Sequence, residues 1–225
     1  ALSRFVQMEK PVNTTHHSAP ENTGTTVYLN GSFLRLEEAA IPVYDRGFIF
    51  GDGIYEVIRV VEGRLFREEE HYMRMREGLE GLQINLPPQD LERMQEASRE
   101  LLSKNGHLSG EASLYIQVTR GAAWPRTHQF PEPADPPTLY LSTSPFQPHN
   151  DLHETGVDAI TLEDVRWHRC NLKTVNLLPN VLARQKALEA GVNSALMVRD
   201  GVITESPNAN IFGVRDQVLY TFPLS

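Results

Sequence analysis

An α+β fold divided into two domains is what the sequence predicts, and three observations predict it. Short alternating or β-branched segments recur in pairs around turn dipeptides. Only a few stretches carry apolar residues at three-to-four spacing. The composition shifts at "PFQPHND", residues 145–151. Strands outnumber helices on both sides of that shift, and successive hairpins favour antiparallel or mixed sheets over a doubly wound parallel one. The expected division is a polar extension over 1–25, a first domain over 26–145 and a second over 146–225.

The first 24 residues are polar, turn-rich and without apolar periodicity, which predicts a loose extension. His16 and His17 lie there side by side without the spaced companions of a metal site, so they are read as solvated tail. Regular structure starts in "VYLNGSFLRL", where two alternating segments flank Asn30-Gly31, the pair that best accepts the positive φ angles of a tight hairpin. A second hairpin, "GIYEVIRVVEGRLF", turns at Glu62-Gly63 between β-branched runs. From Glu68 the period changes: Tyr72, Met75, Leu79 and Leu82 mark an amphipathic helix that ends before Pro87. The next helix spans Gln89 to Lys104, with Leu91, Met94, Leu101 and Leu102 on its apolar stripe and Gly106 at a left-handed stop.

Strands follow in "ASLYIQVTRG" and "TLYLSTS", separated by "AAWPRTHQFPEPADPP", whose five prolines exclude regular structure. Beyond residue 151 come a strand in "VDAITLED", a helix from Leu178 to Glu189 with Pro179 in its first turn and Gly191 after its end, and strands in "SALMVRDGVITES", "NIFGVR" and "QVLYTF". The sequence stops at "YTFPLS", directly after a strand and with no helix to cover it, so the second domain is expected to be incomplete.

With 40% hydrophobic and 22% charged residues, the chain has the composition of a soluble folded protein, and no window approaches a transmembrane span. The net charge of −8 with scattered Lys and Arg argues against nucleic-acid or membrane surfaces and for small-molecule partners. The single cysteine, Cys170, excludes an intrachain disulfide, provides no Cys-rich metal framework, and fits a reducing compartment such as the cytoplasm.

Several residues are candidates for chemistry. Lys173, in "RWHRCNLKTVNLLPN", has mostly apolar or uncharged close neighbours; desolvation disfavours its ammonium form, and the neutral amine attacks carbonyls to form a Schiff base. The alternative is a surface lysine whose stem lies along the fold. Glu205 follows a strand and precedes a polar turn, where a carboxylate can hold a heterocyclic nitrogen protonated, or simply end the strand in solvent. Arg126 and His128 alternate in "PRTHQF" and can offer a guanidinium and an imidazole to one carboxylate, or stand exposed on a Pro-stiffened loop. The glycines of "DRGFIFGDGIYEV" match neither the dinucleotide nor the P-loop spacing, so tight turns before a strand are expected there.

In order along the chain, "DRGFIFGDGIYEV", "EEHYMRM", "VTRGAAWPRTHQFP", "DVRWHRCNLKTVNLLPNVLARQKALEAG" and "ITESPNANIFGV" resemble the class IV, or fold-type IV, pyridoxal-phosphate aminotransferases, and most of all the D-amino-acid (D-alanine) branch. The resemblance covers residues 26–223. It implies a small α/β N-terminal domain and a larger mixed-sheet, pseudo-barrel C-terminal domain that binds pyridoxal 5'-phosphate. It implies that Lys173 forms the Schiff base and shuttles the proton, that Glu205 pairs with the pyridine nitrogen and that Arg74 helps hold the phosphate. Tyr55 then lines the substrate side, Arg126 and His128 trap the substrate carboxylate from across a homodimer, and Arg166 is an active-site arginine beside the lysine strand.

The implied activity is transfer of the amino group of a D-amino acid, D-alanine first, to a 2-oxo acid. Two alternatives keep the fold, a branched-chain L-amino-acid aminotransferase and aminodeoxychorismate lyase, and Arg126 with His128 argue against both. A third is a non-catalytic fragment without the complete cofactor site. The sequence departs from the family in two places: the family continues past "YTFPLS", and its serine-rich run after the acid is here "SPNAN", where Pro207 has no N–H to donate.

Overall fold

A computed structural model describes residues 24–132, 134–148 and 150–223. The expected extension, with His16 and His17, lies outside the described residues up to position 23. Strands β1 (Thr26–Leu29) and β2 (Ser32–Arg35) form the first hairpin, with Asn30 at φ 48° and Gly31 at φ 93° supplying its two positive angles. The second runs from β3 (Gly53–Val61) through Glu62 and Gly63, at φ 48° and 70°, into β4 (Arg64–Leu65). With β5 (Glu111–Thr119) and β6 (Thr138–Pro145) they make a six-stranded sheet in the order β2-β1-β6-β5-β3-β4, every neighbouring pair antiparallel.

The alternation of β5 buries Ala112, Leu114, Ile116 and Val118 on one face. Helices α2 (Glu68–Gly81) and α3 (Pro88–Lys104) cover that face with Tyr72, Met75, Leu79, Leu91, Met94 and Leu101. Each such side chain contributes about 1.5–3 kcal/mol by leaving water. The opposite face carries Tyr55, Gln117 and Tyr140 in cross-strand register.

One element differs from the expectation of tight turns: α1 (Arg46–Phe50) is a single helical turn. The Asp45 carboxylate accepts from the Gly47 N–H at 2.8 Å and caps its start, and Gly51, left-handed at φ 68°, ends it. A second short helix, α4 (Asn150–Thr155), lies at the composition shift, where the sequence shows no helical pattern.

In the second half, β7 (Ala159–Glu163) runs parallel to β8 (Ser194–Arg199), and β8 pairs antiparallel with β9 (Val202–Glu205), so this sheet is mixed, as expected. Between β7 and β8 lies α5 (Leu178–Glu189), with Pro179 in its first turn and Ala183 and Ala187 buried. A hairpin of β10 (Phe212–Arg215) and β11 (Val218–Thr221) follows. Among the described residues no helix is long and apolar enough to cross a membrane.

Candidate active site

The lysine-bearing segment is stapled to an edge of β3 that β4 leaves open. The Tyr55 N–H donates to the Lys173 carbonyl at 3.0 Å, the Val175 N–H donates to the Gly53 carbonyl at 3.1 Å, and Ile54 and Thr174 form an antiparallel bridge between them. One glycine permits this approach: a Cβ on Gly51 would run into the Asn176 side chain, which follows the stapled residues. The stapling places Lys173 Nζ within 3.3 Å of the Tyr55 hydroxyl, to which it donates, and 4.3 Å from the Tyr55 ring centroid. Tyr55 stacks on Tyr115 at 5.9 Å, and burial pushes the Tyr115 phenol up to about 12, helped by Tyr55 and Tyr140.

At the end of β9, Glu205 is ion-paired to Arg166. Arg166 is itself gripped by buried Asp164, Nε to Oδ1 and Nη2 to Oδ2 at 3.0 Å each, and Thr204 Oγ1 donates to the same carboxylate at 2.7 Å. Burial opposes the charge on Asp164, but hydrogen bonds from Arg166 and Thr204 outweigh it and hold the carboxyl well below the usual range. Burial likewise opposes the charge on Arg166, and its bonds to Asp164 and Glu205 outweigh that, so the guanidinium stays protonated more firmly than usual. Glu205 Oε1, the oxygen not engaged by Arg166, accepts no hydrogen bond from a described residue.

Arg74 lies on α2 against Glu56 of β3, Nε to Oε1 and Nη2 to Oε2 at 2.6 Å each, and His71 Nδ1 reaches the same carboxylate at 2.8 Å. Burial raises the proton affinity of Glu56, but Arg74 and His71 overcome it, so the group stays ionised below the usual glutamate range. The remaining Arg74 nitrogen, Nη1, makes no hydrogen bond to a described residue, and the side chain is 48% exposed, so one edge of the fork is open to an anion.

Arg126 and His128 meet at one ring. The Arg126 guanidinium carbon lies 4.6 Å from the Phe50 centroid, and the His128 ring lies 5.5 Å from it. Among the described residues no contact joins either of them to Lys173. The structure thus brings Lys173 to Tyr55, Arg166 to Glu205 and Arg126 to His128. It adds Glu56 and Asp164, which sequence reasoning missed. Glu56 carries a legible signal, since it interrupts the inward-facing row Ile54, Ile58 and Val60 of β3, where a carboxylate must be paired.

An amine beside a phenol, a carboxylate anchored by an arginine and a guanidinium with a free edge suit a phosphate-bearing heterocyclic aldehyde, so the donor set fits pyridoxal phosphate. The profile of the amino-transferase class IV family matches residues 53–225. A D-alanine aminotransferase of Staphylococcus epidermidis is 42% identical over 204 residues, covering 89% of this chain and 70% of the relative. One from Bacillus licheniformis is 40% identical over 200 residues, covering 88% and 69%. The crystal structure of a branched-chain aminotransferase from Thermoproteus uzoniensis with norvaline superposes with a TM-score of 0.77 at 23% identity, covering 89% of this chain and 69% of that one. That of a hypothetical aminotransferase from Mycobacterium tuberculosis, in its alpha-ketoglutarate- and PMP-bound form, gives 0.74 at 24%, covering 88% and 71%. At these identities the two structures speak to the fold.

Proposed function

The chain belongs to the class IV aminotransferases, and on that footing we propose that it moves the amino group of a D-amino acid, D-alanine first, to a 2-oxo acid with pyridoxal 5'-phosphate as cofactor. The observation that carries this reading is the Lys173 amine, stapled to β3 and aimed at the Tyr55 hydroxyl. When bound, the cofactor supplies an aldehyde that takes up amino groups and a pyridine ring that withdraws electrons from the substrate Cα.

This chain's side chains do the rest. Lys173 would provide the nucleophilic amine and, at Nζ, hold and move the proton taken from the substrate Cα. Tyr55 orients Nζ by accepting its hydrogen bond. Glu205, fixed by Arg166 and through it by Asp164, would hold the cofactor's ring nitrogen and favour its protonated form. Arg74, aligned by Glu56, offers its open edge to the phosphate. Arg126 and His128 grip the substrate carboxylate, which sets the bond that stands perpendicular to the ring. The same reading makes the active unit a homodimer with shared sites. The preference for D-amino acids is supported by the 40–42% identity to D-alanine aminotransferases.

Coupled assays with D-alanine, L-leucine and aminodeoxychorismate test the substrate. Turnover of D-alanine that depends on added cofactor is expected, and turnover of only the other two contradicts the reading.

A further inference from the structure

Among its described residues the loop that carries Arg126 and His128 has no strand or helix of its own, and its prolines deny it regular backbone hydrogen bonding. Yet its backbone is held from α1. Arg46 Nη1 donates to the carbonyl oxygens of Thr127 at 2.8 Å and Gln129 at 3.3 Å, and Nη2 donates to that of His128 at 3.4 Å. Arg46 cannot swing away: it is 5% exposed, and its Nε is tied to Asp52 at 2.9 Å. One turn along the same helix, the Phe50 ring lies 4.7 Å from the Arg46 guanidinium carbon and 4.6 Å from that of Arg126, with His128 tilted beside it. Two guanidiniums on one ring repel each other, and the Asp52 carboxylate, which Arg46 shares with Arg120, offsets part of the charge of the buried one. Arg126 donates no hydrogen bond to a described residue, so contact with the ring fixes its direction while its N–H fork stays open.

We propose that Phe50, backed by Arg46 and Asp52, is a positioning platform that presents Arg126 and His128 as a preformed grip for the substrate carboxylate. The proposal rests on the reading of those two residues as the carboxylate grip. Its physical content is preorganisation: a long cationic side chain on a proline-rich loop otherwise loses its freedom only when substrate arrives, and affinity falls by that loss. The platform acts on substrate affinity and leaves proton transfer at Lys173 alone.

The test replaces the ring in the cofactor-loaded protein by Phe50→Leu, with Phe50→Met as a second apolar replacement of similar bulk and Phe50→Tyr as the variant that keeps the π face. Loss of one cation–π contact predicts a rise of about two- to five-fold in the KM for D-alanine, at unchanged kcat and unchanged cofactor absorbance. The second readout needs no turnover: trypsin cleavage of the Arg126–Thr127 bond in cofactor-free protein, followed by fragment mass, accelerates in the Leu and Met variants and returns to the parent rate in Phe50→Tyr. Unchanged KM and unchanged cleavage in both apolar variants overturn the platform. So does a fall in kcat and thermal stability that Phe50→Tyr fails to rescue, because the ring would then serve only the fold. Arg126→Ala, assayed in parallel, separates the two readings. If it raises KM while Phe50→Leu does not, the platform alone is wrong; if it leaves KM unchanged, the carboxylate grip is wrong and the platform's role in substrate binding falls with it.

Discussion

Lys173, the nucleophile of the proposed reaction, has its direction set by its own backbone: the carbonyl and the two following residues are bound to β3, and the side chain ends on Tyr55. Lys173→Ala is therefore expected to remove transamination below detection while the far-UV circular dichroism is unchanged; residual turnover in that variant contradicts its role. Tyr55→Phe keeps the ring under Nζ but removes the acceptor, and a net hydrogen bond of about 1 kcal/mol predicts a roughly five-fold fall in kcat. An unaltered kcat would show that the phenol does not orient the amine. Of these residues the sequence makes Lys173, Glu205, Arg126 and His128 legible as chemical types, because each is a polar group in a turn or loop context that invites a role. It does not show their partners. Lys173 and Tyr55 are 118 positions apart, Arg166 and Glu205 are 39 apart, and no local spacing reports such contacts.

Among the elements, those with several turns or a turn dipeptide are readable: α3 from its apolar stripe, α5 from Pro179 and Gly191, both early hairpins from Asn30-Gly31 and Glu62-Gly63. The helices α1 and α4 are not, because five or six residues cannot display a 3.6-residue period. For α1 the usable signal is Asp45 with Gly51, a cap and a left-handed stop. The contact between α2 and β3 has its own consequence. Glu56 binds its proton less readily in the folded protein than in an unfolded chain, owing to Arg74 and His71 against the opposing effect of burial. Its contribution to stability is thus fully present above the ordinary glutamate range and is lost as pH falls through the lower value of the folded group. Glu56→Gln is expected to lower stability by about 1.5–3 kcal/mol at neutral pH and to flatten the acid limb of thermal unfolding. An acid limb identical to that of the parent would place the sensitivity elsewhere.

At the scale of the whole molecule, hairpin spacing makes it readable that the sheets are antiparallel or mixed rather than doubly wound, and the family resemblance implies the mixed second sheet, but the strand order is not readable. The β1–β6 and β3–β5 pairings join strands far apart in sequence that share one buried cluster with α2 and α3. The main buried cluster lies between Tyr28 and Leu141, which supports a boundary near residues 145–151 as we propose it. Residues 26–145 expressed alone are then expected to unfold cooperatively on heating, and a featureless melt would contradict the division. The proposed catalytic arrangement draws on both parts, because the lysine arrives from the second half and its tyrosine from the first. The most direct measurement is borohydride reduction of the protein after incubation with pyridoxal 5'-phosphate, followed by peptide mass mapping. A pyridoxyl group on the peptide that contains Lys173 is expected; the group on another lysine, or on none, would contradict the role of Lys173.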